Sequence, residues 1–213
     1  MTACDAVVVG AGHNGLVAAN LLADAGWAVV VLEEQDEPGG AVRSAALTAP
    51  GFRNDLCSSF YPFAVAPSPL AALGLEGFGL RWRHAPAVVS HLTPEGRSVT
   101  LFKDVDRTAD SVRDGAPDDG SRWRRAYREW LTVESGLLAA LLTPFPPLRA
   151  SLRLLRHIGT GGALRLGRRM LMPSSTLGRE LFAGEGARLL LGGLALHADV
   201  AVTTAASIAM SRP

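Results

Sequence analysis

A chain of 213 residues is long enough to bury a sizeable core, as one large domain or two small ones. Its 48% hydrophobic content, punctuated by 23 glycines and 13 prolines, describes a loop-rich globular α/β protein rather than a disordered one. The formal net charge of +1 argues against a general nucleic-acid role, which needs a basic footprint over a whole face.

Val7, Val8 and Val9 are a short run of β-branched residues that predicts a strand buried on both faces of a parallel sheet. Gly10, Gly12 and Gly15 follow at once in G-x-G-x-x-G spacing. Gly10 turns the chain off the strand, Gly12 lets backbone amides approach a pyrophosphate, and Gly15 lets the next helix pack close to the strand. The helix opens near His13 or Asn14, so its N-terminal dipole and unpaired amides face the anion. Gly10, Ala11, Gly12, His13, Asn14 and Gly15 are therefore the candidate phosphate site. Leu16, Ala19, Leu22 and Ala23 form the stripe that lies on the sheet, and Gly26 stands where a left-handed C-cap is wanted.

A second apolar run, from Ala28 to Leu32, stops at Glu33 and Glu34. Glu33 follows Gly15 at close to the ~20-residue spacing at which an acidic side chain accepts hydrogen bonds from a ribose hydroxyl. A phosphate on that hydroxyl would be repelled, so Glu33 favours FAD or NAD over NADP. Gly39-Gly40 allows a second backbone segment to approach the dinucleotide, and Arg43 offers guanidinium donors to phosphate; an ordinary turn is the alternative for Pro38-Gly39-Gly40.

The stretch VVVGAGHNGLVAANLLADAGWAVVVLEEQDEPGGAVRS, followed by LTAPGFRNDLCSSFYP, resembles the N-terminus of the FAD-dependent phytoene desaturase-like oxidoreductases, a family that includes the pyridine nucleotide-disulfide oxidoreductase domain-containing proteins. The resemblance implies a Rossmann-type FAD-binding domain of the glutathione-reductase kind, followed by the start of an α+β substrate domain. It implies FAD as cofactor, with Gly10, Gly12 and Gly15 at the pyrophosphate, Glu33 on the adenosine ribose, and Gly39, Gly40 and Arg43 near the phosphates or ribityl chain. Many relatives carry Arg directly after the Gly-Gly pair, whereas Ala41 stands here and Arg43 follows two residues on. Relatives are also longer, and their C-terminal part completes the FAD domain. The chain ends at Met210-Ser-Arg-Pro213 without a second glycine-rich segment, so the expectation is an N-terminal fragment or a truncated product. Residues 1–66 are then the FAD segment and 67–213 a partial substrate domain.

From Leu47 to Pro69 the aromatics Phe52, Phe60, Tyr61 and Phe63 predict an ordered loop beneath a ligand. By the resemblance this loop brings Asp55, Cys57 and Ser58 towards the flavin, although the plainer reading of Cys57 is a small buried hydrophobe. Ser68-Pro69 starts a short helix that ends at Gly74. Ala87–Leu92 and Arg97–Phe102 flank Thr93-Pro-Glu-Gly96 as a β-hairpin. Asp104 to Asp119 is polar and turn-rich, and Asp118, Asp119 and Ser121 are N-cap candidates for a helix running to about Leu142, where Pro144, Pro146 and Pro147 stop it. Trp123, Tyr127 and Trp130 form one stripe of that helix, read as core packing ahead of a ligand wall.

Residues 148–170 carry Arg149, Arg153, Arg156, Arg165, Arg168 and Arg169, with no acidic residue between Glu134 and Glu180, and Leu148, Leu152 and Leu155 on the opposite face. Such a basic amphipathic helix suits peripheral contact with an anionic membrane; an ordinary solvated face is the plainer alternative. Glu180 to Met210 reads as one or two helices. The apolar run Leu189–Leu196 is interrupted by His197 and Asp199, far short of the ~20 residues that span a bilayer. His197 is read as a helix-end histidine.

The two cysteines, Cys4 and Cys57, have neither C-x-x-C nor metal spacing, which points to a reducing compartment. The predicted start of the sheet at Asp5 leaves no room for a cleavable signal, so the expectation is a cytoplasmic protein, with membrane association through 148–170 as an extension. His13, His84, His91, His157 and His197 are scattered, and no hydrolytic or metal-binding pattern accompanies them. No metal is expected and no catalytic residue is named. That absence suits a flavoenzyme, in which the cofactor does the redox chemistry. By resemblance the reaction is hydride transfer from a hydrophobic substrate, a polyene or isoprenoid, to the flavin. A non-catalytic binding protein of the same fold, as in GDP-dissociation inhibitors, and an NAD-dependent enzyme are the alternatives.

Overall fold

The computed structural model describes residues 3–58, 61, 64, 68–93 and 95–197. The chain divides into two compact units, 1–81 and 82–213, so residues 67–81 fall with the first unit.

In the first unit β1 (Ala6–Val9) pairs in parallel with β2 (Val29–Leu32), Ala6 opposite Val29 and Val9 opposite Leu32, and α1 (His13–Asp24) is the crossover between them. Parallel strands need such a crossover because a tight turn can only reverse the chain. Asp5 secures the start of the pair by accepting the Ala28 N–H at 2.8 Å. Beyond α1, Gly26 has φ 89; its N–H donates to the Ala23 carbonyl and that of Trp27 to the Leu22 carbonyl. Those two bonds are a Schellman cap, and the left-handed residue it requires is the expected glycine.

The expected burial of β1 on both faces is not met. Among the described residues α1 covers one face, whereas Val7, Val9, Val30 and Leu32 are exposed on the other, Val9 by 83%. A doubly covered sheet needs a second layer, and one crossover helix supplies only one. The loop after Gly40 forms a two-residue antiparallel pair, β3 (Ser44–Ala45) with β4 (Asn54–Asp55). Cys57 is exposed rather than buried, because the segment around it lies along the surface of residues 41–43 through backbone bonds from Leu56 to Arg43 and from Ser58 to Ala41. Phe60 and Phe63 lie outside the described residues. The Ser68 hydroxyl accepts the Ala71 N–H at 3.2 Å and caps α2 (Pro69–Ala72), which Gly74 closes at φ 61.

The second unit begins with the antiparallel hairpin β5 (Ala87–Leu92) and β6 (Ser98–Phe102), Leu92 opposite Ser98. Gly96 takes φ 78 in the turn and donates to the Thr93 carbonyl; Pro94 lies outside the described residues. Residues 104–119 are turn-rich by composition, but they contain α3 (Val105–Ser111). Asp104 caps it by accepting from Asp106 and Arg107, and the buried Thr108 hydroxyl ties it back to Phe102 of β6. Tertiary burial of Thr108, Ala109 and Val112 outweighs the polar local composition.

Four helices follow: α4 (Asp119–Leu141), α5 (Leu148–Leu171), α6 (Ser174–Leu181) and α7 (Glu185–His197). Val99 and Leu101 of β6, Val112, Phe182, Ala187 and Leu190 form the core, and the Trp123 ring stacks on Phe182 at 5.6 Å. Asp119 is fully buried, and instead of capping its own helix it accepts the N–H groups of Ala183 and Gly184 at 2.9 and 2.7 Å. One carboxylate thereby joins the start of α4 to the approach to α7, satisfying amides that have no helical partner.

The basic helix α5 is broken at Gly159, where φ 67 and ψ 178 lie outside the helical range. Its six arginines do not form one free face. Arg168 donates to both carboxylate oxygens of Glu180, at 2.9 and 2.5 Å, and Arg169 pairs with Glu129 on α4. Leu148, Leu152 and Leu155 are exposed; Ala150 and Leu154 are the buried positions of that half. Among the described residues no helix is long and apolar enough to cross a membrane.

Candidate dinucleotide site

The glycine loop is held at both ends by backbone. Gly10, at φ 95, donates its N–H to the Leu32 carbonyl at 2.7 Å, which fastens the end of β1 to the tip of β2. A Cβ at Gly15 would sit 2.0 Å from the Gly10 carbonyl oxygen, so only glycine lets α1 begin this close to the strand. Gly12 is the N-cap of α1. It brings no side-chain cap, and the first turn holds no acidic residue. The first amides of α1, from His13 to Gly15, are thus left for an outside acceptor, at the positive end of the helix dipole. The side chains of His13 and Asn14 are exposed.

Gly39-Gly40 packs on this loop and is no ordinary turn. Gly39 donates to the Ala11 carbonyl at 2.8 Å and bridges to Gly12. Gly40 has φ 54, and a Cβ there would stand 3.0 Å from the Gly12 Cα. By contrast, a Cβ on Gly10 would meet nothing within 4 Å, and one on Gly12 only the Gly40 Cα at 3.9 Å. Protein packing fills the space beside Gly15 and Gly40 and leaves the space beside Gly10 and Gly12 open.

Glu33 points into the loop. Its Oε2 accepts the Ala11 N–H at 2.5 Å and its Oε1 the Gln35 N–H at 3.0 Å. These amides, Gln35 foremost and then Ala11, hold its carboxyl below the ordinary range, with a smaller contribution from the Arg43 charge. Gln35 carries no sequence signal because it contributes only a backbone amide, which any residue there supplies. The Glu34 side chain is exposed, and its backbone amide adds to the stabilisation of Glu33. Arg43 lies against Gly39, where an added Cβ would come 2.8 Å from its Cγ, and its Nε is buried without a hydrogen-bond partner. A buried donor without a partner is costly, which sets Arg43 apart from the other residues of this loop. Asp55 accepts the Ser44 hydroxyl at 2.6 Å and is engaged within the loop, while Cys57 is free and exposed.

Residues 8–71 match the NAD(P)-binding Rossmann-like domain. A limonene dehydrogenase polypeptide of Castellaniella defragrans is 37% identical over 127 residues, 60% of this chain and 23% of that protein. Hydroxyneurosporene desaturase of Cereibacter sphaeroides is 31% identical over 207 residues, 90% of this chain and 38% of that protein. Prolycopene isomerase 1 of an Oncidium hybrid is 33% identical over 62% of this chain and 23% of that protein. The chain is similar to the N-terminal part of the phytoene desaturase-like oxidoreductases. Both the family resemblance and the Rossmann-type fold expected from the sequence are borne out. A putrescine oxidase variant is similar in structure, with 21% identity, a TM-score of 0.48 and coverage of 87% of this chain and 35% of that one. The chain spans between 23% and 38% of the length of these curated relatives.

A second cavity lies wholly within the 82–213 unit. It has a volume of about 660 Å³, is open to solvent on one side, and is lined mainly by α4, by α5 from His157 onward and by α6. Trp123, Tyr127 and Trp130 all line it, so the stripe expected to be core packing is both: Trp123 stacks on the core and all three form a cavity wall. Among the described residues no group of three or more His, Cys, Asp or Glu side chains is arranged to hold a metal.

Proposed function

We propose that the first unit binds the ADP half of FAD, in an oxidoreductase that acts on a hydrophobic, isoprenoid-type substrate. The observation that carries this reading is the open space beside Gly10 and Gly12, next to the α1 N-terminus and the Glu33 carboxylate, with the Arg43 charge close to Glu33. When bound, the flavin supplies the two-electron acceptor for a hydride from the substrate. The amides of His13 to Gly15 donate to the pyrophosphate, which the missing Cβ of Gly12 lets approach. Glu33, held ionised by its amide donors, accepts a ribose hydroxyl and repels a phosphate at that position. Arg43, packed against Gly39, brings its positive charge to the phosphate side of the loop. The Gly39-Gly40 contact closes the loop from the other side and supports FAD over a nicotinamide nucleotide bound by the first motif alone. The names of the relatives, a limonene dehydrogenase and a hydroxyneurosporene desaturase, support the reaction class and substrate.

Calorimetric titration of the purified chain with FAD, ADP-ribose and NADP tests this. FAD and ADP-ribose should bind and NADP at least ten-fold more weakly, and Gly12→Val should remove binding because its side chain enters the pyrophosphate space. Unchanged affinity in Gly12→Val refutes the assignment.

We also propose peripheral contact with anionic lipid, confined to the elbow between α4 and α5. Phe145 is 93% and Leu148 71% exposed, Leu141, Leu152 and Leu155 are exposed beside them, and Arg149, Arg153 and Arg156 have no ion pair among the described residues. Apolar anchors ringed by cations suit an interfacial helix. Equal co-sedimentation with neutral and anionic vesicles excludes it. A reducing, cytoplasmic setting is the accompanying reading, supported by two free cysteines.

A further inference from the structure

The cavity of the second unit is apolar over most of its wall, with Trp123, Tyr127, Trp130, Ile158, Leu166 and Met170 among its lining, and its volume of about 660 Å³ falls in the range of ligand sites. Its charged lining residues are few. Glu129 and Arg169 neutralise each other in an ion pair across α4 and α5. Arg165, one turn before Arg169 on the same helix, also lines the cavity and has neither an ion pair nor a hydrogen bond among the described residues. Arg165 lies beyond the break at Gly159, on the half of α5 away from the α4–α5 elbow.

A lone guanidinium at the edge of an aromatic, apolar cavity selects for a ligand of two parts. A hydrocarbon gains from the indole and phenol walls but makes no use of the Arg165 cation, which is exposed at the mouth. A molecule with an anionic end gains both terms, because a planar guanidinium binds a carboxylate or phosphate through two parallel donors. We propose that this cavity binds a lipophilic molecule with an anionic head, a carboxylate or a phosphate, whose head is gripped by Arg165 and whose chain lies against Trp123, Tyr127 and Trp130. The proposal rests on the reading of the substrate as hydrophobic and narrows it to amphiphiles; it makes no use of the flavin.

The test is a tryptophan-fluorescence titration with four probes that share one tail: farnesoic acid, farnesyl phosphate, farnesol and farnesene. The acid or the phosphate should bind at least ten-fold more tightly than the alcohol and the hydrocarbon; a preference for the acid marks a carboxylate site, and one for the phosphate a phosphate site. Arg165→Gln should bring the charged probes to the affinity of farnesol, Arg165→Lys should retain part of the preference, and Arg153→Gln, on the other half of α5, should leave it unchanged. Circular dichroism of each variant shows that the helices persist. Equal binding of all four probes overturns the head-group assignment and leaves the hydrophobic reading standing. If none binds to the folded wild-type protein, both fall. FAD titration of the same variants reads the first unit separately.

Discussion

The two units make their sites from different material. In the first, the proposed nucleotide cradle is mostly backbone: the amides at the start of α1, the loop amide of Ala11 that fixes Glu33, and two glycine segments in contact. In the second, the cavity is made of side chains from α4, α5 and α6 that meet across tens of residues of sequence, as Glu129 meets Arg169. A backbone site is specified by where side chains are missing, and a side-chain site by which distant residues tertiary packing brings together. Substitutions should therefore act in different ways in the two units.

The largest effect is expected at Gly15. In Gly15→Val the first side-chain carbon would collide with the Gly10 carbonyl at 2.0 Å, so α1 must leave β1 and nucleotide affinity should fall at least a hundred-fold in calorimetry. The cavity probes should bind as before, and a joint loss would break the contrast between the units.

Asp119→Ala is the counterpart in the second unit. It removes the fully buried carboxylate that accepts from the Ala183 and Gly184 amides, and chemical denaturation should show a loss of about 3 kcal/mol. Asp119→Asn, which keeps one acceptor oxygen, should lose less, with nucleotide binding unaffected.

Glu33→Gln sharpens the comparison by changing charge within a backbone site. The folded-state carboxyl titrates below its ordinary range, so the stabilisation it brings is complete above the unfolded value and disappears as pH falls through the lowered one. ADP-ribose affinity should decline over that acidic window in the wild type, and in Glu33→Gln it should be about ten-fold weaker at neutral pH and flat with pH. A wild-type profile that is also flat removes Glu33 from the site.

The smallest change is expected for Arg168→Ala. Its pair with Glu180 is exposed on both sides, and water screens such pairs strongly, so the denaturation midpoint should not move measurably.

The glycine spacing, the acidic residue after β2, the 87–102 hairpin and the long helix ending before Pro144 are all legible in the sequence, since each rests on local chemistry. A glycine that must turn the chain, a cap residue and a period of alternation act within a few positions. The helix of residues 105–111 is not legible, because Thr108 and Val112 are buried by elements distant in sequence and the local composition reads as turns. The pairing of Arg168 and Arg169 is hidden for the same reason: the sequence shows a stretch without acids, while folding brings Glu180 and Glu129 alongside.

By itself the sequence determined a strand, glycine loop and helix, the proposed diphosphate cradle, because the geometry of that motif follows from missing side chains and the order of neighbouring residues. Only the tertiary structure decided that Asp119 ties α7 to α4, that Cys57 is exposed, that among the described residues one face of β1 and β2 is uncovered, and that three aromatics of α4 wall a cavity beside an arginine with no partner among those residues. Those features depend on which surfaces meet, and such meetings are settled by long-range packing that local patterns do not encode.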